Sequence, residues 1–591
     1  MKRGILIVFL VLFILFTVGA MGYAAYRYLL MPNETVVPAF SEGELNLVIE
    51  GVYADSGHGA RIEDGEILLP VDLVKKYFDP YIYWDDELKK ITVTTKDRVI
   101  RMKTDKLEAL VNNEPVRLNI PAFEQDNLVY IPIEFLSDFY NIEISYLEDN
   151  NVIIIDYKNR MKQTAEPISD KAVIRTGRSI KHPVLKKLNN EEEDRTLRVF
   201  EEYDKWLKVR TSEGIIGFIE KKFVVVRWVT DNSVPFEQAE SDRAWRPDKG
   251  KINLVWDMMY SGRPDLASIG KMNGLDVISP TWFQIINENG KVLNRADARY
   301  VEWAHSNGYK VWALLSNDFG NPELTHKILN NTDARDNIIK ETLAYAALYK
   351  LDGINIDFEN INLEDRDALT QFVREITPFF KEQGMVVSMD VGVPDGSNNY
   401  SRCYDFKALG EAVDYIAVMT YDQHWSTSPK AGSVAQLSWV EAKVKRILEM
   451  VPAEKLLLGL PFYIRLWVER PDENGNIVVS NPSALSMGGA RRIIQENNAN
   501  VVWDEESGQF YTEFEKEGSM YKMWLEDENS INLKSSLVHK YKLAGTAAWA
   551  RGNEEQQVWK VLEKNLKEID TYHSWKKENS SIVAYKYEYN N

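Results

Sequence analysis

The chain has 591 residues, of which 45% are hydrophobic and 27% charged, and this composition is typical of a globular protein with several domains. Its formal charge of -18 argues against a nucleic-acid partner and against capture of an anionic polymer by bulk attraction. Because Cys403 is the only cysteine and the seven histidines form no HExxH or HxH pattern, we expect no disulfide framework and no metal site. We also expect no organic cofactor.

The first predicted element is a membrane-spanning helix. Lys2 and Arg3 precede an uncharged, strongly apolar run over residues 4–25. About 20 such residues span a bilayer as a helix, whereas the apolar core of a signal peptide usually has about 7 to 15. We expect residues 1–30 to be an uncleaved signal anchor in the cytoplasmic membrane, with the rest of the chain outside. The small residues over 19–25 leave open a cleaved, secreted form.

Residues 44–158 contain an internal repeat. DGEILLPVDLV, residues 64–74, is echoed by DNLVYIPIEFL, residues 126–136, at an offset of 62. Each copy predicts a strand, a short helix and a hairpin, which together make a small duplicated α+β domain. The segment resembles the copper amine oxidase N-terminal domain. His58 is its only histidine, so we expect no copper chemistry, and the resemblance implies a stalk, a spacer or a wall-contact module.

A small all-β domain is predicted next. Residues 159–170 are polar and are predicted to be a linker, and residues 171–229 carry short strand-like runs that predict a small barrel. The run DKWLKVRTSEGIIGFIEKKFV resembles the bacterial SH3-like domain, which implies contact with peptidoglycan. Trp206 and Phe218 fit two interpretations, as core residues of this barrel or as contacts to its ligand.

The last block, residues 250–572, alternates apolar runs with amphipathic helical patterns. Eight buried strands, most of them followed by a helix, predict an α/β fold of the (β/α)8 TIM barrel type. The connection from Ile464 to Lys542 is too long for one helix, so we expect an insertion between strands 7 and 8. The eight runs are INLVWDMMY, LDVISPTWF, VWALLSN, GINIDFE, VVSMDVG, YIAVMTYD, LLLGLPFY and AGTAAWA.

The fourth run carries polar residues at every second position. Asn355, Asp357 and Glu359 therefore share one face of a strand. Uncompensated charge inside a barrel is costly, and barrel active sites lie at the carboxyl ends of the strands. We predict that these side chains face the cleft, with Glu359 last in the strand, while Ile354, Ile356 and Phe358 face the surrounding helices.

Four motifs in this block resemble glycoside hydrolase family 18. The family's fourth-strand signature DxxDxDxE corresponds here to Asp352, Asn355, Asp357 and Glu359. MTYD, residues 419–422, fits the sixth strand, GLPFY with Arg465 fits the seventh, and Trp549 ends the eighth. The resemblance covers about residues 250–570 and is greatest to the branch of bacterial spore-cortex and peptidoglycan glycosidases.

The resemblance implies a retaining mechanism in which the substrate's own acetamido group is the nucleophile. Glu359 would be the general acid and then the general base, Asp357 would orient the acetamido N–H, and Tyr421 would hydrogen-bond its oxygen. Asn355 stands where many members have Asp, and we expect its amide to hydrogen-bond Asp357 and hold it ionised. Asp352 is expected to be structural. Further candidates for the cleft are Trp549, Asp422, Met419, Trp282, Tyr260, Tyr463, Arg465 and Asp390. For Trp282, core packing is an equally open interpretation.

These observations predict an exported, membrane-anchored glycosidase. Its partner would be a β-1,4-linked cell-wall glycan that contains N-acetylglucosamine, with peptidoglycan or spore cortex favoured and a chitin-like oligosaccharide still open. The alternative is a non-catalytic wall-binding or morphogenetic protein, against which the presence of Glu359, Asp357 and Tyr421 argues.

Overall fold

The computed structural model describes residues 2–41, 43–54, 59–158, 161–188, 195–229, 244–259 and 264–580. They fall into two compact units. The first comprises residues 1–82, 102–109 and 115–239, and the second comprises residues 83–101, 110–114 and 240–591.

The chain begins with helix α1 (Lys2–Leu29). Among the described residues it is the one helix long and apolar enough to cross a membrane, over Ile7–Leu29. A signal sequence near the N-terminus can pass the same test of length and composition, so the helix fits both the anchored and the cleaved form.

The predicted repeat is present as two copies of the same element order. In each copy a strand that ends in proline, Pro70 or Pro132, leads directly into a short helix, and a hairpin follows. Proline is tolerated at this place because the N–H of the residue that precedes a helix takes no part in the hydrogen bonds within the helix. The elements of this region are β1 (Asn46–Ile49), β2 (Val52–Tyr53), β3 (Arg61–Glu63), β4 (Glu66–Pro70), α2 (Val71–Tyr77), β5 (Tyr83–Asp85), β6 (Lys90–Thr94), β7 (Val99–Lys103), β8 (Glu108–Val111), β9 (Glu114–Arg117), β10 (Phe123–Gln125), β11 (Leu128–Pro132), α3 (Ile133–Leu136), β12 (Ile142–Leu147) and β13 (Val152–Tyr157).

Seven strands after the repeat form one antiparallel sheet in the order β16-β15-β19-β18-β17-β14-β20. The predicted linker was wrong, because residues 162–167 form β14, which pairs with β17 and β20. Its polar sequence, KQTAEP, hid a strand in which only Ala165 and Pro167 are buried. Trp206 and Phe218 are half-buried. The strands are β14 (Lys162–Pro167), β15 (Val173–Arg175), β16 (Val184–Lys187), β17 (Leu197–Glu202), β18 (Trp206–Arg210), β19 (Ile216–Glu220) and β20 (Val224–Val229).

A closed barrel of eight parallel strands forms most of the second unit and confirms the predicted TIM barrel. The strands β21, β22, β25 to β29 and β35 pair in turn, and the pairing of β22 with β25 closes the ring. The strands up to the insertion, with one added hairpin, are β21 (Ile252–Asp257), β22 (Val277–Pro280), β23 (Phe283–Ile285), β24 (Val292–Asn294), β25 (Lys310–Ser316), β26 (Gly353–Asp357), β27 (Val386–Val391), β28 (Tyr415–Val418) and β29 (Leu456–Pro461).

The predicted insertion between strands 7 and 8 is a five-stranded antiparallel sheet in the order β31-β30-β34-β33-β32. Its strands and the last barrel strand are β30 (Tyr463–Pro471), β31 (Ile477–Ser486), β32 (Val501–Asp504), β33 (Gln509–Lys516), β34 (Ser519–Trp524) and β35 (Gly545–Trp549). The helices of the unit are α4 (Ala298–Ser306), α5 (Pro322–Leu329), α6 (Thr332–Tyr349), α7 (Arg366–Glu382), α8 (Phe406–Ala412), α9 (Leu437–Ile447), α10 (Met487–Glu496), α11 (Glu528–Lys540), α12 (Gln556–Glu563) and α13 (Tyr572–Glu578).

Each barrel strand separates two cores. Ile354, Ile356 and Phe358 pack in the layer between strands and helices, as predicted, and the ring of Phe358 stacks on that of Phe372 with centroids 5.2 Å apart. A second cluster, which includes Trp256 and Trp312, fills the barrel interior. The interior is thus a packed core, which leaves the carboxyl ends of the strands as the place for a site.

Candidate active site

Glu359 is placed by a neighbouring strand. We had expected Glu359 to be the last residue of its strand. β26 ends at Asp357, so Glu359 lies two residues beyond the strand. The side chain of Asn317, which follows β25, accepts a hydrogen bond from the Glu359 N–H at 3.0 Å and donates one to its carbonyl at 2.9 Å. These two bonds fix the backbone of Glu359 at the carboxyl end of the barrel. Asn317 was missed by the sequence analysis, although its position directly after a strand was a signal.

Asn355 is the centre of a buried hydrogen-bond network. Its carbonyl oxygen accepts from Trp256 Nε1 at 2.7 Å and from Ser279 Oγ at 3.2 Å. Its amide nitrogen donates to Ser388 Oγ at 3.1 Å and to Asp390 Oδ1 at 2.9 Å. The expectation that Asn355 bonds Asp357 was wrong, because side chains of β21, β22 and the adjacent strand β27 occupy both ends of the amide.

Asp357 is instead a buried carboxyl whose Oδ1 has no hydrogen-bond partner. Burial, together with the charges of Glu359 and Asp390, raises the pKa of Asp357 well above its usual range. This direction is opposite to the expectation that Asp357 is held ionised. Burial also raises the pKa of Asp390 well above its usual range, with the charge of Glu359 adding to the effect and the hydrogen bond from Asn355 opposing it.

Glu359 has the charge state that a general acid requires. Burial and the charge of Asp422 raise the pKa of Glu359 to about 7. A carboxyl with such a pKa is half protonated at neutral pH, and its half-buried side chain remains accessible.

Tyr421 completes the group of polar side chains at this end of the barrel. Burial and the nearby charges of Asp390, Glu359 and Asp357 raise the pKa of its phenol well above 10, so that it is a neutral donor. The charges of Glu359 and Asp357, the carboxyls that the fourth-strand motif singled out, therefore act on the Tyr421 phenol.

Two family models match this chain. Residues 283–554 match glycosyl hydrolases family 18, and residues 48–155 match the copper amine oxidase N-terminal domain. The chain is 27% identical over 292 residues to the Bacillus subtilis protein "Uncharacterized glycosylase YvbX", which covers 47% of this chain and 82% of that one. It is 28% identical over 252 residues to the cortical fragment-lytic enzyme of Bacillus subtilis. That alignment covers 42% of this chain and 57% of the relative. The barrel is a glycoside hydrolase.

The hydrolase barrel also aligns with the crystal structure of the Bacillus megaterium spore cortex-lytic enzyme SleL, at 21% identity and a TM-score of 0.48 over 54% of this chain and 75% of that one. The family matches confirm the two resemblances predicted for the barrel and for the repeat. The SH3-like resemblance of residues 171–229 stays a prediction.

Asp422 of the hydrolase is held by the insertion. Its Oδ1 accepts hydrogen bonds from Tyr463 OH and from Arg465, each at 2.6 Å. Both residues lie on β30, the first strand of the inserted sheet, and not on the seventh barrel strand, where we had placed them. Tyr463 and Arg465 are buried, whereas Asp422 is exposed and its charge acts on Glu359.

The remaining predicted residues differ in their placement. Trp549 and Met419 are half-buried at the ends of β35 and β28, where they are accessible to a ligand. Trp282 is only 1% exposed and packs edge-to-face on Tyr300, so its assignment to the substrate site was wrong. Tyr260 lies outside the described residues.

Asp352, the first residue of the motif, lies at the opposite end of β26. It accepts hydrogen bonds from Lys310 Nζ at 2.7 Å and from the Val311 N–H at 2.9 Å, which supports its expected structural role. In the part of the chain that the structure describes, no group of three His, Cys, Asp or Glu side chains is arranged to hold a metal ion.

Proposed function

We propose that the barrel hydrolyses β-1,4 bonds beside N-acetylglucosamine with retention of configuration, using the acetamido oxygen of the substrate as the nucleophile. The observation that carries the proposal is Glu359 at the mouth of the barrel, with its pKa raised to about 7. This value suits a group that first donates a proton to the glycosidic oxygen and then accepts one from water.

The neighbouring groups fit the other roles. Asp357 offers a carboxyl oxygen without a protein partner, which is free to accept the acetamido N–H and, once ionised, to offset the positive charge of the oxazolinium intermediate. Tyr421 stays a neutral donor and can hydrogen-bond the acetamido oxygen so that it is aligned for attack. Asn355 keeps the inner face of the strand in place, and Asp422 shares the cleft side with Glu359.

The proposed substrate is a cell-wall glycan, with peptidoglycan or its spore-cortex form preferred to chitin. One relative is a cortical fragment-lytic enzyme, and the apolar helix α1 suits export to the wall side of the cytoplasmic membrane. The repeat and the seven-stranded sheet would act as a stalk and as a wall contact.

Hydrolysis is tested by turnover of a chromogenic N-acetylglucosaminide by the full chain in a mild detergent. Glu359→Gln should lower kcat by at least 10²-fold, since general acid catalysis contributes about 10² to 10⁴. Glu382→Gln, at an exposed residue that ends α7, is the matched control and should keep wild-type activity. Full activity of Glu359→Gln would refute the assignment of the acid, and no turnover of any N-acetylated glycan would favour a wall-binding protein.

The substrate is tested by mass analysis of the products released from purified peptidoglycan and from chitin oligomers. We expect peptidoglycan fragments that end in N-acetylglucosamine. Release from chitin oligomers alone would contradict the preferred substrate but leave the mechanism intact.

A further inference from the structure

Asp390 is a buried carboxyl at the site for which the mechanism above has no use. It lies on β27, and the register of the parallel strands places it directly beside Asp357 of β26. Neighbouring strands are about 4.8 Å apart, so the two side chains leave their strands side by side on the inner face. Asp390 is 2% exposed and Asp357 is 5% exposed. Two acids this close and this well buried cannot both carry a charge cheaply.

Asn355 distinguishes the two acids. Its amide N–H donates to Asp390 Oδ1, whereas Oδ1 of Asp357 receives no hydrogen bond. A donated hydrogen bond favours the charged form of the carboxyl that accepts it. In the free enzyme, Asp390 is therefore the better place for a negative charge and Asp357 the better place for a proton.

We propose that Asp390 is a positioning residue for the hydrolysis, which shares one proton with Asp357 and carries the charge of the pair until substrate binds. The inference rests on the proposed function. When the substrate offers its acetamido N–H to Asp357, Asp357 releases its proton and Asp390 takes one up. The total charge of the pair stays at minus one, and the negative charge moves to the residue that faces the oxazolinium ion.

The other groups packed around Asp357 and Asp390 are one further acid, two neutral phenols and uncharged side chains. Glu359 adds a further acid from the segment after β26, while Tyr421, which follows β28, and Tyr404, which precedes α8, contribute neutral phenols. Trp256 and Ser388 are uncharged. Among the described residues, no ion pair joins Asp357, Glu359 or Asp390 to a Lys, Arg or His.

The test is the pH dependence of kcat/KM for three variants of the full chain. The acid limb of the profile, where kcat/KM falls toward low pH, reports the ionisation of Asp357. Asp390→Asn removes the like charge beside Asp357 and should move this limb to lower pH by about one unit. Asn355→Asp adds a like charge and should move it to higher pH. The exchange variant Asn355→Asp/Asp390→Asn restores a single neighbouring carboxyl, so its acid limb should return toward that of the wild type. An acid limb that is the same in all four proteins, with only a constant loss of activity, would overturn the proposal.

A second measurement does not depend on turnover. Urea unfolding midpoints of the wild type, Asp357→Asn, Asp390→Asn and the double variant Asp357→Asn/Asp390→Asn form a double-mutant cycle. A shared proton predicts that the shift of the double variant differs from the sum of the single shifts, and that this difference grows from pH 4 to pH 8 as charge appears. Additive shifts, or a difference that does not change with pH, would refute the proposal that Asp357 and Asp390 share one proton. If the wild type cleaves no N-acetylated glycan, the proposed function fails, and the unfolding cycle still decides whether the two acids share a proton.

Discussion

Glu375 on α7 is the centre of a buried ion cluster, and the substitution Glu375→Gln tests how the second unit is held together. Its carboxylate accepts from Arg335 Nε at 2.8 Å and from Arg101 at 2.9 Å, while Gln371 donates to its other oxygen at 2.8 Å. The side chains of Glu375 and Arg335 are fully buried, and that of Arg101 is 8% exposed. Because Arg101 ends the segment 83–101, the cluster joins that segment to the barrel helices of the same unit.

The magnitude follows from the pKa. Burial alone would raise the pKa of Glu375, but the charges of Arg101 and Arg335 outweigh it and lower the pKa to about 2. An unfolded chain has a Glu pKa of about 4.3, and a difference of about 2.3 pKa units corresponds to about 3 kcal/mol. Removing one partner of a buried ion pair typically costs about 3 to 5 kcal/mol, which agrees. Since the pKa is lowered in the folded state, this stability is complete well above about pH 4.3 and is lost as the pH falls toward 2.

The assay is urea unfolding of the full chain in a mild detergent, followed by tryptophan fluorescence. Glu375→Gln should lose about 3 kcal/mol at pH 7, and more than half of that difference should vanish at pH 3. Glu382→Gln, seven residues later on the same helix but exposed, should stay within about 0.5 kcal/mol of the wild type. The reasoning is refuted if the two variants unfold alike, or if the loss at Glu375 is the same at both pH values.

Three further outcomes follow from the site and the core. Activity should fall as the pH rises through about 7, because Glu359, with its pKa raised to about 7, loses the proton that it must donate; a rate that stays flat to pH 9 would contradict this. Asp422→Asn should move that fall to lower pH, since the charge of Asp422 contributes to the raised pKa, and an unshifted kcat profile would show that the charge does not reach Glu359. Burial raises the pKa of the Cys403 thiol to about 12, so iodoacetamide at pH 8 should modify it only in urea, and mass analysis of labelled native protein would reveal the opposite.

The elements that could be predicted are those whose pattern is local. Parallel strands buried on both faces read as apolar runs. Seven of the eight barrel strands fall within one of the eight predicted runs, and β25 begins one residue before its run, at Lys310. The repeat was visible because Pro70 and Pro132 stand at the same place in two copies of one motif. The strand β14 was hidden for the opposite reason, since a strand with two buried residues has no apolar period.

The contacts of the site could not be predicted, because closing the barrel creates them. Trp256, Asn317 and Asp390 follow or belong to the first, third and fifth strands, and the sequence gives no register that would place them around the fourth. Tyr463 and Arg465 follow the seventh strand so closely that nothing in the sequence marks the start of a new sheet. Trp282 ends its run in the same way as Trp549, and packing alone separates the buried ring from the accessible one.

The same chain uses buried carboxyls in two opposite ways, and the difference lies in their partners. Glu375 is surrounded by Arg101 and Arg335, so its pKa is about 2 and it stays charged whenever the protein is folded near neutral pH. Glu359 is surrounded by acids and apolar surface, so its pKa is about 7. Pairing with arginine lowers the free energy of the charged state and suits a structural role, whereas burial beside like charges keeps a proton ready to leave and suits catalysis. Inserting a cation near Glu359 would therefore stabilise its charge and remove the acid that the proposed hydrolysis needs.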